Sequence, residues 1–154
     1  MGLFFYFVLH FNCKFAGIKK KGFEIMPLMK FDMLKGRTPE QIGALLDIVY
    51  EVQLETLGTP VGDRYQIVNQ HEPYEMHILD TGLGVERSDQ VVVITVITRP
   101  RTTAQKEAFY RRVVDRLHDE LGMRKEDVMV SMVQNTDEDW SFFGGDAQFL
   151  TGAL

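Results

Sequence analysis

Three features of the sequence predict an α+β fold of two βαβ halves, with one four-stranded sheet and two helices on one face. Strand-like alternation gives way to helix-like spacing and back again, twice. Each helical stretch opens on a Thr-x-x-Gln capping box and closes on a glycine. The two halves also match each other at a shift of 64 residues, pairing Arg37 with Arg101, Thr38 with Thr102, Gln41 with Gln105, Val49 with Val113, Leu57 with Leu121, Gly58 with Gly122, Asp63 with Asp127 and Gln70 with Gln134. Those matches fall on caps, helix ends and strand starts, which is where a structural repeat has to punctuate.

In the first half, Leu28–Leu34 reads as a strand. Thr38 and Gln41 form the N-cap and its reciprocal partner, with Pro39 at the first helical position, where a missing N–H costs nothing. Ile42, Leu45, Leu46, Val49 and Leu57 make one buried stripe, Gly58 ends the helix, and Tyr65–Val68 begins a returning strand. In the second half, Val91–Thr98 is a β-branched strand and Thr102–Gln105 the second capping box. Phe109, Val113, Val114, Leu117 and Leu121 form the next stripe, Gly122 closes it, and Val128–Val133 returns. Met76–Asp80 suggests a short extra strand before the Asp80-Thr81-Gly82-Leu83-Gly84 turn. With no third helix of useful length, the second sheet face needs cover, and a closed symmetric oligomer supplies it.

The 154 residues, 45% hydrophobic and 25% charged, suit one globular domain. A single cysteine, Cys13, excludes an intrachain disulfide framework, and 17 basic against 22 acidic residues leaves no electrostatic footprint for nucleic acid. His71, His77 and His118 have no ligand spacing with one another, so no metal is expected. No dinucleotide or P-loop glycine motif and no G-x-S-x-G is present; Gly82-x-Gly84 lacks the third glycine.

Composition is uneven. Residues 1–26 hold six of the 11 Phe, the cysteine, and four Lys against one Glu, so residues 27–154 keep 13 basic and 21 acidic side chains, a net of −8 without cysteine. That composition suits a cytoplasmic, reducing environment. The apolar run Gly2–Phe11 has no preceding Lys or Arg, and about ten residues fall short of the ~20 that span a bilayer, so neither secretion nor a membrane anchor is expected. Lys21-Gly22 permits a purine-rich ribosome-binding sequence, with Phe23-Glu24-Ile25 as the spacer before Met26. Residues 1–26 are therefore read as an N-terminal extension from a misassigned translation start, and 27–154 as the domain.

Arg99-Pro100-Arg101 closes the most apolar strand. Residues two apart on an extended segment project to one side, and two guanidiniums there suit a carboxylate or phosphate; a solvated strand end fits the spacing equally well. Asp63 could start a strand or cap a turn, and the default for Trp140, Phe142, Phe143 and Phe149 is core or oligomer interface.

From Met26-Pro27 onward the chain resembles the tautomerase superfamily, nearest its malonate semialdehyde decarboxylase branch. The resemblance runs through Pro27–Asp32, Gly36-Arg37-Thr38, Asp63–Gln66, Asp80–Gly84, Arg99-Pro100-Arg101, Asp139-Trp140-Ser141-Phe142 and Gln148–Gly152. It implies a tautomerase-like double βαβ with a four-stranded mixed sheet, a homotrimer, no cofactor and a small carboxylate substrate. It also implies Pro27 as a catalytic amino-terminal proline, Asp63 as its acidic partner, Arg99 and Arg101 as carboxylate binders, and Trp140, Phe142, Phe149 and Leu154 as an apolar wall. The activity implied is decarboxylation of malonate semialdehyde to acetaldehyde and CO2, with hydration of an unsaturated acid as a side activity.

The chemistry of a 3-oxo acid agrees with those groups. Loss of CO2 leaves an electron pair that a carbonyl must accept, and a terminal secondary amine can polarise that carbonyl as a cation or convert it to an iminium. Two alternatives are a keto–enol tautomerase with a neutral Pro27 as base, and a non-enzymatic trimeric interaction protein. Nearby arginines are expected to favour the ionised form of Asp63. A proline amide has no basic lone pair, so every Pro27 mechanism requires Pro27 to be the first residue.

Overall fold

The computed structural model describes residues 26–80 and 82–154. The expected extension, apart from Met26, and Thr81 of the turn lie outside the described residues. Four strands, β1 (Pro27–Leu34), β2 (Tyr65–His71), β3 (Val92–Thr98) and β4 (Val128–Gln134), form one sheet in the order β2-β1-β3-β4. The pairs β1–β2 and β3–β4 are parallel, each closing a βαβ half, and the central pair β1–β3 is antiparallel. The sheet is therefore mixed, and the α+β double βαβ fold is the one expected.

The helices α1 (Pro39–Leu57) and α2 (Thr103–Leu121) begin and end where local chemistry demands. Thr38 Oγ1 accepts from the Gln41 amide while Gln41 Oε1 accepts from the Thr38 amide, and Thr102 with Gln105 repeats the exchange. Each box satisfies donors that the first helical turn leaves open. Gly58 and Gly122 end the helices in the left-handed region, φ 67° and 66°, where a side chain is disfavoured.

The core lies between the helices and one face of the sheet. Met29, Phe31, Met33, Val92, Ile94 and Val96 alternate toward it and meet Leu45, Ile48, Val49, Val52, Leu57, Phe109, Val113 and Leu117. Each such side chain stabilises the fold by roughly 1.5–3 kcal/mol relative to exposure. Ile48 and Val52 join the stripe beyond the residues that periodicity selects. Ile42, Leu46 and Val114 pack against its rim. Leu121 departs from expectation: it is 38% exposed, because the last turn of α2 stands beside a small surface cavity.

The extra strand expected at Met76–Asp80 is absent. Residues 76–80 carry no ladder: the sheet ends at β2 and β4, and neither edge takes up the segment as a fifth strand. Instead, Asp80 Oδ1 and Oδ2 accept from the amides of Leu83 and Gly84, which makes a side-chain turn. The second sheet face is uncovered within one chain: Tyr65, Ile67, Met129 and Val133 are 38–49% exposed.

Antiparallel pairing of β1 and β3 fixes the site. Its register sets Pro27 opposite Thr98, so the start of the first strand meets the end of the third and the loop carrying Arg99 and Arg101.

Candidate active site

Met26 and Pro27 are buried at the head of β1. Met26 has φ 73°, the one non-glycine residue at positive φ among the described residues. Such a backbone costs about 1–3 kcal/mol and persists only where surrounding contacts impose it. Three hydrogen bonds impose it: the Met26 amide donates to Asp63 Oδ2 at 2.6 Å, and its carbonyl oxygen accepts from Thr98 Oγ1 at 3.2 Å and from Arg101 Nη2 at 3.5 Å. Met26, the residue bonded to the Pro27 nitrogen, is thus held at both its amide and its carbonyl.

Asp63 sits between α1 and β2, in a loop whose amide donates to the Pro60 carbonyl. It is buried, and burial pushes its carboxyl above the usual range, partly offset by the Met26 amide and the Arg101 charge. Arg101 favours the ionised form, as expected of a nearby arginine, but desolvation outweighs that one guanidinium. The Asp63 backbone is pinned by Gln53 of α1, whose Nε2 donates to the Asp63 carbonyl at 2.6 Å and to Thr59 Oγ1 at 3.0 Å. Gln53 is fully buried, a polar residue on the apolar stripe that periodicity alone treats as a mistake.

Arg101 turns inward and is 5% exposed. Its Nε donates to Thr98 Oγ1 at 3.0 Å and its Nη1 to the Leu57 carbonyl at 2.9 Å, one of the carbonyls left open where α1 ends. Arg99 has other partners. It pairs with Asp137, Nε to Oδ1 at 2.6 Å, and lies over the Phe149 ring at 4.6 Å from its centroid. The two guanidiniums are thus held by separate sets of groups.

The aromatic residues form one layer. Trp140 stacks on Phe142 at 5.7 Å, Phe142 meets Phe149 edge-on at 5.4 Å, and Tyr65 approaches Phe142 at 6.5 Å. Trp140 Nε1 donates to Asn135 Oδ1, and Gln148 ties the loop together by accepting from the Phe142 amide and donating to the Phe143 carbonyl. Between this layer and the head of β1 lies a cavity of about 320 Å³ lined by Met26, Asp63, Tyr65, Phe142, Phe143, Gln148, Ala153 and Leu154.

Of the residues singled out in the sequence, Asp63, Phe142, Phe143 and Leu154 line the cavity directly. Pro27 and Arg101 adjoin it through Met26, while Arg99, Trp140 and Phe149 stand behind Phe142. Sequence reasoning missed Gln53, Thr98, Tyr65 and Gln148. Only Gln53 left a signal, as the polar member of a buried helical stripe. Among the described residues, no three His, Cys, Asp or Glu side chains converge as a metal site, and no helix is long and apolar enough to cross a membrane.

This arrangement has counterparts. Two family models, each described as tautomerase enzyme, match residues 27–86 and 63–143. The chain is 44% identical over 129 residues to the probable tautomerase YrdN of Bacillus subtilis (strain 168), covering 84% of this chain and all of that protein. A crystal structure of malonate semialdehyde decarboxylase superposes with a TM-score of 0.78 at 49% identity, over 82% of this chain and 98% of the other. A second such decarboxylase, FG41, inhibited by 3-bromopropiolate, gives 0.77 at 36%, over 82% and 97%. A fused 4-OT, solved as a symmetric trimer, shares the fold at 21% identity with a TM-score of 0.64, over 80% and 98%. With family models spanning both halves and these identities, the chain belongs to the tautomerase superfamily, on its malonate semialdehyde decarboxylase branch.

Proposed function

We propose that a chain beginning at Pro27 is a cofactor-independent decarboxylase of a short 3-oxo acid, converting malonate semialdehyde to acetaldehyde and CO2. The observation that carries this reading is the bonding of Met26, the residue attached to the Pro27 nitrogen. Its amide faces a buried carboxylate and its carbonyl oxygen a hydroxyl with a guanidinium, at the edge of an apolar cavity. Without residue 26, that nitrogen is a secondary amine in the same surroundings.

Arg101 and Arg99 hold the substrate carboxylate so that its C–C bond stands perpendicular to the carbonyl plane. The cationic Pro27 amine polarises the aldehyde. The C–C bond breaks, its electron pair forms the enol of acetaldehyde, CO2 departs, and protonation of the enol carbon completes the turnover. Phe142, Leu154 and, behind them, Trp140 and Phe149 keep water from solvating the carboxylate. Asp63 serves the carbonyl side or the returning proton, and hydration of an unsaturated acid by a water held at Asp63 is the side activity. Support for this reading comes from the 49% identical decarboxylase, whose structures were solved to explain decarboxylase and hydratase activities.

The exposed apolar face of the sheet supports assembly as a homotrimer, and the cysteine-free composition of residues 27–154 supports cytoplasmic residence. The domain in this reading is residues 27–154, with 1–26 absent from the working protein.

A second reading, a keto–enol tautomerase of a small carboxylate, is favoured by the probable tautomerases among the relatives. The protonation state of Pro27 separates the two. A cation at neutral pH serves decarboxylation, and a depressed pKa serves a proton-shuttling base. The deciding experiment is intact mass of protein expressed from its native upstream DNA, followed by a malonate semialdehyde assay with acetaldehyde detection. A mature terminus at Pro27 and acetaldehyde release are expected. Any other terminus overturns the mechanism, and enol ketonisation without acetaldehyde selects the tautomerase.

A further inference from the structure

The 64-residue repeat places an internal comparison inside the molecule. Arg37 occupies in the second corner the place of Arg101 in the first, and its Nη2 donates to the Gln90 carbonyl as Arg101 Nη2 does to the Met26 carbonyl. Residues 26 and 90 are themselves 64 apart. Asp127, the counterpart of Asp63, is fully buried and accepts from the Ser88 amide at 2.7 Å and from Ser88 Oγ at 2.5 Å, two residues before Gln90, where Asp63 accepts from the Met26 amide itself. Arginine and aspartate thus recur in a corner where the strand is entered by an ordinary Gln90–Val91 peptide. Their recurrence belongs to the architecture of the repeat.

What does not recur is Thr98. Its counterpart is Leu34, so a hydroxyl is not needed to build this corner. Thr98 is fully buried, and its bonding leaves its proton one direction. Arg101 Nε donates to Oγ1 at 3.0 Å and uses a lone pair, and the hydroxyl proton is spent on the Met26 carbonyl at 3.2 Å. In a chain beginning at Pro27 that acceptor is gone, which leaves a buried donor aimed at the space beside the Pro27 nitrogen. A buried donor without an acceptor is costly, and a ligand oxygen restores the bond.

We propose that Thr98 contacts substrate, its hydroxyl donating to the substrate oxygen that takes the place of the Met26 carbonyl oxygen next to the Pro27 nitrogen. This rests on the reading that Pro27 is the first residue and the substrate a small oxo acid. When the C–C bond breaks and electrons move onto the carbonyl, the oxygen gaining charge faces a donor already oriented by Arg101.

The test is calorimetric titration of malonate into the chain beginning at Pro27 and into its Thr98→Val and Thr98→Ser variants. Malonate carries the oxygens and undergoes no reaction. Thr98→Val, which keeps shape and removes the donor, is expected to weaken binding about tenfold, and Thr98→Ser to stay within about twofold. Equal affinity in Thr98→Val overturns the proposal, as does an unsubstituted chain that binds no malonate. Because the readout is binding, a chain that binds malonate but releases no acetaldehyde counts against the decarboxylase reading and leaves Thr98 to be decided by the variants.

Discussion

The amide of Met26 donates to Asp63 Oδ2 at 2.6 Å, closing a contact between residues 37 apart in sequence, and it does so from a backbone held at φ 73°. Residue 26 thereby occupies the carboxylate that a terminal Pro27 would face. A chain that retains Met26 is accordingly expected to be inactive: its Pro27 nitrogen is an amide and Met26 itself lines the cavity. Comparing acetaldehyde release by chains beginning at Met26 and at Pro27 checks this, and equal rates would remove Pro27 from the chemistry.

Arg101 and Arg99 should respond differently to removal. Arg101→Ala is expected to lose roughly 10²–10³-fold in turnover, the scale of one preorganised electrostatic group. It should also lose about 1–3 kcal/mol of stability, because the Leu57 carbonyl is left without its side-chain donor. Arg99, about a third exposed and paired with Asp137, should affect KM more than folding when replaced by alanine. Steady-state kinetics with urea unfolding of both variants separates them; an unaffected rate in Arg101→Ala means the carboxylate is held elsewhere.

Burial raises the Asp63 pKa in the folded chain, so between its unfolded and folded values the native state binds more protons and stability falls as pH rises. Asp63→Asn, which keeps an acceptor for the Met26 amide, should therefore raise the urea midpoint of the full chain at pH 7. The gain should be smaller near pH 3, below both pKa values. The same gain at both pH values would show that ionisation of Asp63 is not what the fold resists.

Gln53→Leu tests how Asp63 is positioned. Leucine stands at the equivalent place of the second helix, Leu117, so the substitution suits the core while removing the donor to the Asp63 carbonyl and to Thr59. A cost of about 1–3 kcal/mol from unsatisfied buried groups is expected, together with lowered turnover. Turnover unchanged at that stability loss would make Gln53 a purely structural residue.

Much of the fold is legible because its causes are local. Capping boxes, left-handed glycines and alternation act within a few residues, so both helices and all four strands can be located without knowing what they touch. The expected strand at Met76–Asp80 fails for the opposite reason: a strand also has to be brought alongside a sheet edge, and where the chain runs past the edges is a property of the assembled sheet.

The candidate site divides the same way. Asp63, Arg99, Arg101 and the aromatic residues stand out by residue type and by resemblance, whereas their partners depend on β1 lying antiparallel to β3 with Pro27 opposite Thr98. That register, set by packing two βαβ halves on one core, carries Arg101 to the Leu57 carbonyl and Thr98 to the Met26 carbonyl, while Arg99 turns to Asp137. It also decides the ionisation tendency of Asp63, since desolvation depends on how completely the surrounding chain excludes water. By itself the sequence determined two repeated halves and the residue types at their corners; only the tertiary structure decided which donor meets which acceptor, because most of those contacts join residues tens of positions apart.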